Sequence, residues 1–242
     1  MGNALIIQDL FLLDIETVPQ FQTYSQLPDD WKLLWDEKLS KTMPENISPE
    51  EGYLLRAGIL AEFGKIVCIS TGYFYENTNK ELCLKIKSIS GHDEKALLES
   101  FVQINNKIFQ HNRQFQYAGH NIREFDIPYI CRRMIINHVP LPEYLQLHGA
   151  KPWDVRMVDT MQYWKFGDYK NYISLHLLAG VLNVPTSKTD MDGSMVQKVY
   201  YEDDNLPKIV NYCQRDVAAV ANVLLRFKNM PLLNEENIIV VE

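Results

Sequence analysis

A mixed α/β sheet flanked by helices is the fold class that the sequence predicts, on three observations. An apolar run stands early in the chain, two β-branched or alternating segments follow it, and beyond about residue 160 the periodicity turns wholly helical.

The run Leu10-Phe11-Leu12-Leu13 is continuous rather than alternating, which suits a strand buried on both faces, and Pro19 ends it. From 20 to 56 the composition changes to Gln, Asp, Glu, Lys and Pro, with Trp31 and Trp35 four apart. This reads as an inserted, partly helical excursion whose two tryptophans anchor one face. Segments 65–75 and 81–89, separated by Asn77-Thr78-Asn79-Lys80, read as a hairpin and make three antiparallel strands with the first. Ala96, Leu97, Leu98, Phe101, Ile104 and Ile108 recur with a helical period. A short strand is expected at 116–119, a helix at 126–137 ending before Pro140, and a strand at 156–160. Helices follow at 174–182 with Ser174 as cap, at 194–201 and at 206–228. The terminal β-branched residues Ile238-Ile239-Val240-Val241, set between acids, suit an edge strand or a partner-binding tail. No linker divides the chain, so 1–242 reads as one domain with an insertion at 20–56 and a C-terminal tail at 229–242.

With 24 basic against 31 acidic residues the net charge is −7, and 46 % of the chain is hydrophobic. That supports a core without staples and excludes a disordered tail, collagen or a coiled coil. The acidic balance argues against coating nucleic acid non-specifically, although it leaves room for a site that grips a few nucleotides. Cys68, Cys83, Cys131 and Cys213 show no short ligand spacing and read as reduced, mostly buried thiols of a cytoplasmic protein. No apolar run approaches the roughly 20 residues that span a bilayer, so no membrane association is expected.

Three motifs carry chemistry. Asp14-x-Glu16 lies at the end of the first strand, where residues two apart emerge on one face. Two desolvated carboxylates there repel and call for a positive partner, a divalent metal being the natural one, while two solvated acids at a strand end are the plainer alternative. Asn121-x3-Phe125-Asp126 precedes Pro128 at a helix start, where Asp126 could instead be a cap, Asn121 a turn residue and Phe125 core. Tyr212-x3-Asp216 places a phenol and a carboxylate one turn apart on the last helix, an arrangement that is also ordinary surface chemistry.

In this order the set resembles the DEDD superfamily of 3′–5′ exonucleases, in the branch with tyrosine in the third motif, on a ribonuclease H-like fold. It looks most like stand-alone exonucleases related to the proofreading domain of family B DNA polymerases. Glu62-Phe63-Gly64-Lys65-Ile66-Val67-Cys68-Ile69-Ser70 resembles the segment opening the second strand in that family. Lys188-Thr189-Asp190-Met191-Asp192-Gly193-Ser194 resembles its glycine turn ahead of the last helices. Only 26 residues follow Asp216, so a stand-alone enzyme is expected rather than proofreading in cis.

The resemblance implies two Mg²⁺ or Mn²⁺ ions flanking the scissile phosphate, with Asp14 bridging both, Glu16 and Asp216 holding one and Asp126 the other. Tyr212 would orient the attacking water, being a poor general base at an ordinary pKa near 10. The substrate would be the 3′ end of a nucleic acid, DNA in preference to RNA, releasing nucleoside 5′-monophosphates. Thr17, Asn121, Phe125 and Lys188 are its candidate contacts. His120 and Asp159 are expected to be structural or to support the ligands, and Arg132 and Arg133 suit either phosphate or a solvated helix face. An RNA 3′-end trimming enzyme, an endonuclease and a non-catalytic binding module on the same fold are the alternatives. A protein partner would have the 20–56 insertion or the C-terminal tail to bind.

Overall fold

The computed structural model describes residues 5–44, 46–112, 114–151, 155–168, 170–185 and 191–241. Its centre is a six-stranded sheet in the order β5-β4-β1-β2-β3-β6. The strands are β1 (Leu10–Pro19), β2 (Gly64–Glu76), β3 (Leu82–Ser90), β4 (Gln116–Gly119), β5 (Met157–Asp159) and β6 (Ile238–Val241). The first three run antiparallel, as the hairpin pattern predicts, while β4 joins β1, β5 joins β4 and β6 joins β3 in parallel. Of the two expectations for the terminal segment, the edge strand is the one observed.

The continuous apolar run of β1 is explained by cover on both faces. Phe11, Leu13 and Ile15 point to α3 (Glu94–His111) and α4 (Asp126–Ile136), packing with Phe101 and Ile130. Leu10 and Leu12 point the other way, to Val217, Val220, Ala221 and Leu224 of α8 (Leu206–Phe227). Asp14 and Glu16 continue this second row, so alternation alone aims both at α8.

The excursion contains α1 (Asp29–Thr42) and α2 (Pro49–Arg56). Trp35 is buried edge-on against Tyr53 and Phe63, its indole N–H donating to Pro49 O at 3.0 Å, while Trp31 meets Phe63 from the rim. Where β1 passes into the excursion, the chain is tied to α7 (Val196–Tyr201), whose Tyr201 hydroxyl reaches Pro19 O at 2.6 Å and Gln20 O at 3.0 Å.

Arg133 departs from the solvated-face expectation. It is 2 % exposed and forks onto Glu94 of α3, at 2.9 Å from Nε and 2.5 Å from Nη2, while Nη1 donates to Ala61 O. Glu94 is filled further by Ile66 N–H and the Asn137 amide, so both charges are fully hydrogen-bonded, as burial requires. A short helix, α5 (Thr160–Lys165), starts directly after β5 where only a strand end was expected, because Asp159 caps it at Met161 and Gln162 N–H. Next comes α6 (Leu175–Val181), with the Ser174 hydroxyl accepting from Leu177 N–H, as expected of a cap. No helix among the described residues is long and apolar enough to cross a membrane.

Candidate active site

β4 pairs with β1 only from Leu10 to Leu12, which leaves the Ile15 N–H without a strand beside it. Asp126 supplies the acceptor, Oδ1 to Ile15 N at 3.2 Å, and thereby brings the start of α4 against the strand segment that bears Asp14 and Glu16. Its approach depends on the turn after β4. Gly119 passes so close that a Cβ would stand 2.8 Å from Leu13 O, and Asn121 takes a left-handed φ of 60°, which asparagine tolerates. Asn121 O then accepts from the N–H groups of Glu124 and Phe125, launching α4.

On the opposite side α8 packs on β1 and β2, and its face carrying Tyr212, Cys213 and Asp216 meets the row of Asp14 and Glu16. The Cys213 thiol donates to Asp14 Oδ2 at 3.2 Å and lies 3.4 Å from Asp14 O. Tyr212 and Asp216, one turn apart on that face, stand close enough for each to shift the other's proton affinity. Four carboxylates and a phenol from three separate stretches of sequence thus converge.

Their electrostatics record that convergence. Burial raises Asp14 well above the carboxylate range, and the charges of Asp216 and Asp126 add to it. Burial and then Asp14 and Asp216 do the same to Glu16. Burial lifts Asp126 to about 7, against the pull of its own N–H and that of Ile15, and Asp159 and Asp216 push it further. Asp216 rises to about 6 through burial, held there by the Tyr212 hydroxyl, Arg215 and His176, which all favour its charged form. Tyr212 is pushed far above 10 by burial and by Asp216, Glu16 and Asp14. Such a surplus of mutually repelling oxygen donors suits a divalent cation, and ligand atoms of Asp14, Glu16 and Cys213 lie within 4.8 Å of one another. Tyr212, Arg215 and Asp216 also line a cleft of about 730 Å³ whose other wall includes Ser174, His176 and Leu233.

The remaining candidates sit around this cluster. Thr17 lies beside Tyr129, whose hydroxyl donates to Gly58 O at 2.8 Å. Phe125 is half-buried, its ring 5.4 Å from that of Tyr129, and it packs against the core. The side-chain carbonyl of Asn121 is buried with no protein partner among the described residues. Lys188 lies outside the described residues. His120 spends both ring nitrogens on structure, Nε2 on Ile173 O and Nδ1 on the Thr160 hydroxyl, each at 2.9 Å. Asp159 accepts the N–H groups of Asn121 and Arg123, fixing the turn that delivers Asp126. Cys213 and Arg215 were not singled out from sequence, although their places three and one residues before Asp216 put Cys213 on the same helix face and Arg215 directly beside it.

A family model described as a predicted 3′–5′ exonuclease related to the exonuclease domain of PolB matches residues 59–237, which include Asp126, Tyr212 and Asp216 and begin after Asp14 and Glu16. No curated protein sequence matches the chain. Among solved structures, the family B DNA polymerase of the hyperthermophilic archaeon Pyrobaculum calidifontis is similar at a TM-score of 0.50 with 16 % identity. The match covers 90 % of this chain and 24 % of that one, so the chain spans about a quarter of the polymerase's length. That likeness is one of fold, and it agrees with a ribonuclease H-like mixed sheet flanked by helices. By the family match, the chain belongs to the predicted 3′–5′ exonucleases related to the exonuclease domain of PolB.

Proposed function

We propose that the protein is a divalent-metal-dependent 3′–5′ exonuclease of the tyrosine-bearing DEDD type that acts on DNA, single-stranded by preference. The convergence of Asp14, Glu16, Asp126 and Asp216 beside Tyr212 carries this reading. Asp14, Glu16 and Asp216 would hold one Mg²⁺ or Mn²⁺ ion, and Asp14 and Asp126 a second. All the donors are carboxylate oxygens suited to such hard ions. When bound, the cations would acidify water and neutralise charge at the scissile phosphate and the departing 3′ oxygen.

The chain's own groups do the positioning. Tyr212, with its proton held far more tightly than usual, serves as a donor that orients water rather than as a base. The helix repeat sets the ring on the same face as the Asp216 carboxylate. Asp126 is fixed in turn by Ile15 N–H, so the two walls of the site keep a set separation. Asn121 has an unused buried acceptor that suits a substrate hydroxyl or amino group, and Thr17, Phe125 and Lys188 are the other proposed contacts.

The test is incubation of 5′-labelled single-stranded DNA, duplex DNA and RNA with Mg²⁺, with and without chelator. A ladder shrinking from the 3′ end of DNA is expected, abolished by chelator and by Asp14→Ala in a protein that keeps its circular dichroism spectrum. Equal hydrolysis by Asp14→Ala and the parent would sink the assignment. Preferential shortening of RNA would transfer it to 3′-end trimming, since nothing in the carboxylate cluster reads the 2′-hydroxyl.

A further inference from the structure

Cys213 has no part in that reaction, yet it stands inside the carboxylate cluster. Its Sγ is 3.2 Å from Asp14 Oδ2, and Glu16 completes a set of ligand atoms within 4.8 Å of one another. A tetrahedral zinc ion with Zn–S of about 2.3 Å and Zn–O of about 2.0 Å has S···O edges of about 3.5 Å, close to the spacing already present. Cys68, paired with Glu16 across the β1–β2 ladder, spends its own thiol on the Ser70 hydroxyl at 3.8 Å and stands outside that set. The other two thiols lie elsewhere, Cys83 paired with Tyr75 between β2 and β3 and Cys131 on α4 donating to Leu145 O. A mixed set of one sulfur and two carboxylates suits a borderline-soft ion better than Mg²⁺, which keeps to oxygen and to octahedral geometry.

We propose that Cys213, Asp14 and Glu16 form a site for a thiophilic divalent cation of the Zn²⁺ class that shuts the hydrolytic centre. The same ion takes Asp14 and Glu16 away from the ions of the reaction. Binding is an exchange without redox change: the sulfur–metal bond that forms releases the Cys213 thiol proton to solvent. The binding site stands on the geometry alone, whereas its inhibitory consequence rests on the exonuclease reading.

The whole chain is titrated with CdCl₂ while the ultraviolet thiolate-to-cadmium charge-transfer band is followed. One equivalent should saturate the band, ZnCl₂ should erase it, and an equal concentration of MgCl₂ should not. Cys213→Ser should weaken cadmium binding by about 100-fold, the upper end of what even an outer-shell partner contributes, while Cys131→Ser leaves it unchanged. An undiminished band in Cys213→Ser overturns the site. So does a ¹¹³Cd resonance of the parent protein at an all-oxygen shift, a measurement that needs no variant to fold. Zn²⁺ should then stop Mn²⁺-supported shortening of single-stranded DNA over the range in which it erases the band, and undiminished shortening there overturns the shut-off. A protein that shows the band yet shortens no nucleic acid keeps the thiol site and loses the exonuclease reading, and the shut-off with it.

Discussion

Tyr212 is the residue whose chemistry the fold alters most. Burial and the carboxylates Asp216, Glu16 and Asp14 hold its proton far more firmly than usual, which suits it to donate rather than accept. Removing the hydroxyl in Tyr212→Phe leaves ring packing intact and frees the attacking water from its orienting partner. The expected result is a kcat lower by about 100-fold with little change in KM, the scale of a small misplacement of reacting groups. An unchanged kcat would remove Tyr212 from the reaction. Arg133 makes the opposite case, of a charge that serves only the fold. In Arg133→Met, Glu94 stays buried without its cation, at a cost of about 3–5 kcal/mol. For a chain of this size that lowers Tm by roughly 10 °C. The double variant Glu94→Leu with Arg133→Met should recover most of the loss, measured by thermal denaturation. Asp14, Glu16 and Asp216 were legible because strand alternation and helix spacing place them on predictable faces. Arg133 was legible in principle, since Asp126, Ile127, Ile130, Arg133 and Met134 share one buried stripe of α4, but two adjacent arginines hide which one turns inward. Cys213 was read only as one of four reduced, mostly buried thiols, because a sequence does not reveal that a strand carboxylate will meet it.

Among the elements, the shortest strands decide the geometry of the site. β4 stops after four residues, and that early stop leaves Ile15 N–H for Asp126. The turn beyond it is held from below by Asp159 at the end of β5, which gathers four backbone N–H groups, those of Asn121, Arg123, Met161 and Gln162. Asp159→Ala therefore removes a helix cap and orphans buried donors together, at an expected cost of about 3 kcal/mol. Because the turn delivers Asp126, hydrolysis should also fall at temperatures where the variant is still folded. Amide exchange at Asn121 and Arg123 should quicken, and slow exchange there would refute the link. The long elements β1, β2, β3, α3 and α8 were legible from apolar runs and periodicity. Asp159 and α5 were not, because a three-residue strand followed at once by a helix offers too few residues for either period to appear.

Over the whole molecule, the proposed cation site would couple metal binding to stability and pH through its carboxylates. The formal charge of −7 counts every carboxylate as ionised, whereas Asp126 near 7 and Asp216 near 6 keep protons in the folded, cation-free chain that they lose when it unfolds. A carboxylate whose folded pKa exceeds its unfolded value contributes stability below the unfolded value and loses it as pH rises through the folded one. The cation-free protein should therefore lose Tm as pH rises from 5, and of the slope from these two groups the steeper part should end near 6, where Asp216 is spent, and the rest near 7, where Asp126 is. A divalent cation replaces those protons, so its stabilisation should run the other way: Mn²⁺ should raise Tm by several degrees at pH 8 and by much less at pH 5. Differential scanning calorimetry in chelator and in Mn²⁺ across this range reads both slopes. A Tm increment that does not change with pH would mean that the cation binds somewhere other than these four carboxylates. In Asp126→Asn the part of the slope near pH 7 should flatten, which separates that carboxylate from the rest of the cluster and identifies which group the cation displaces at neutral pH.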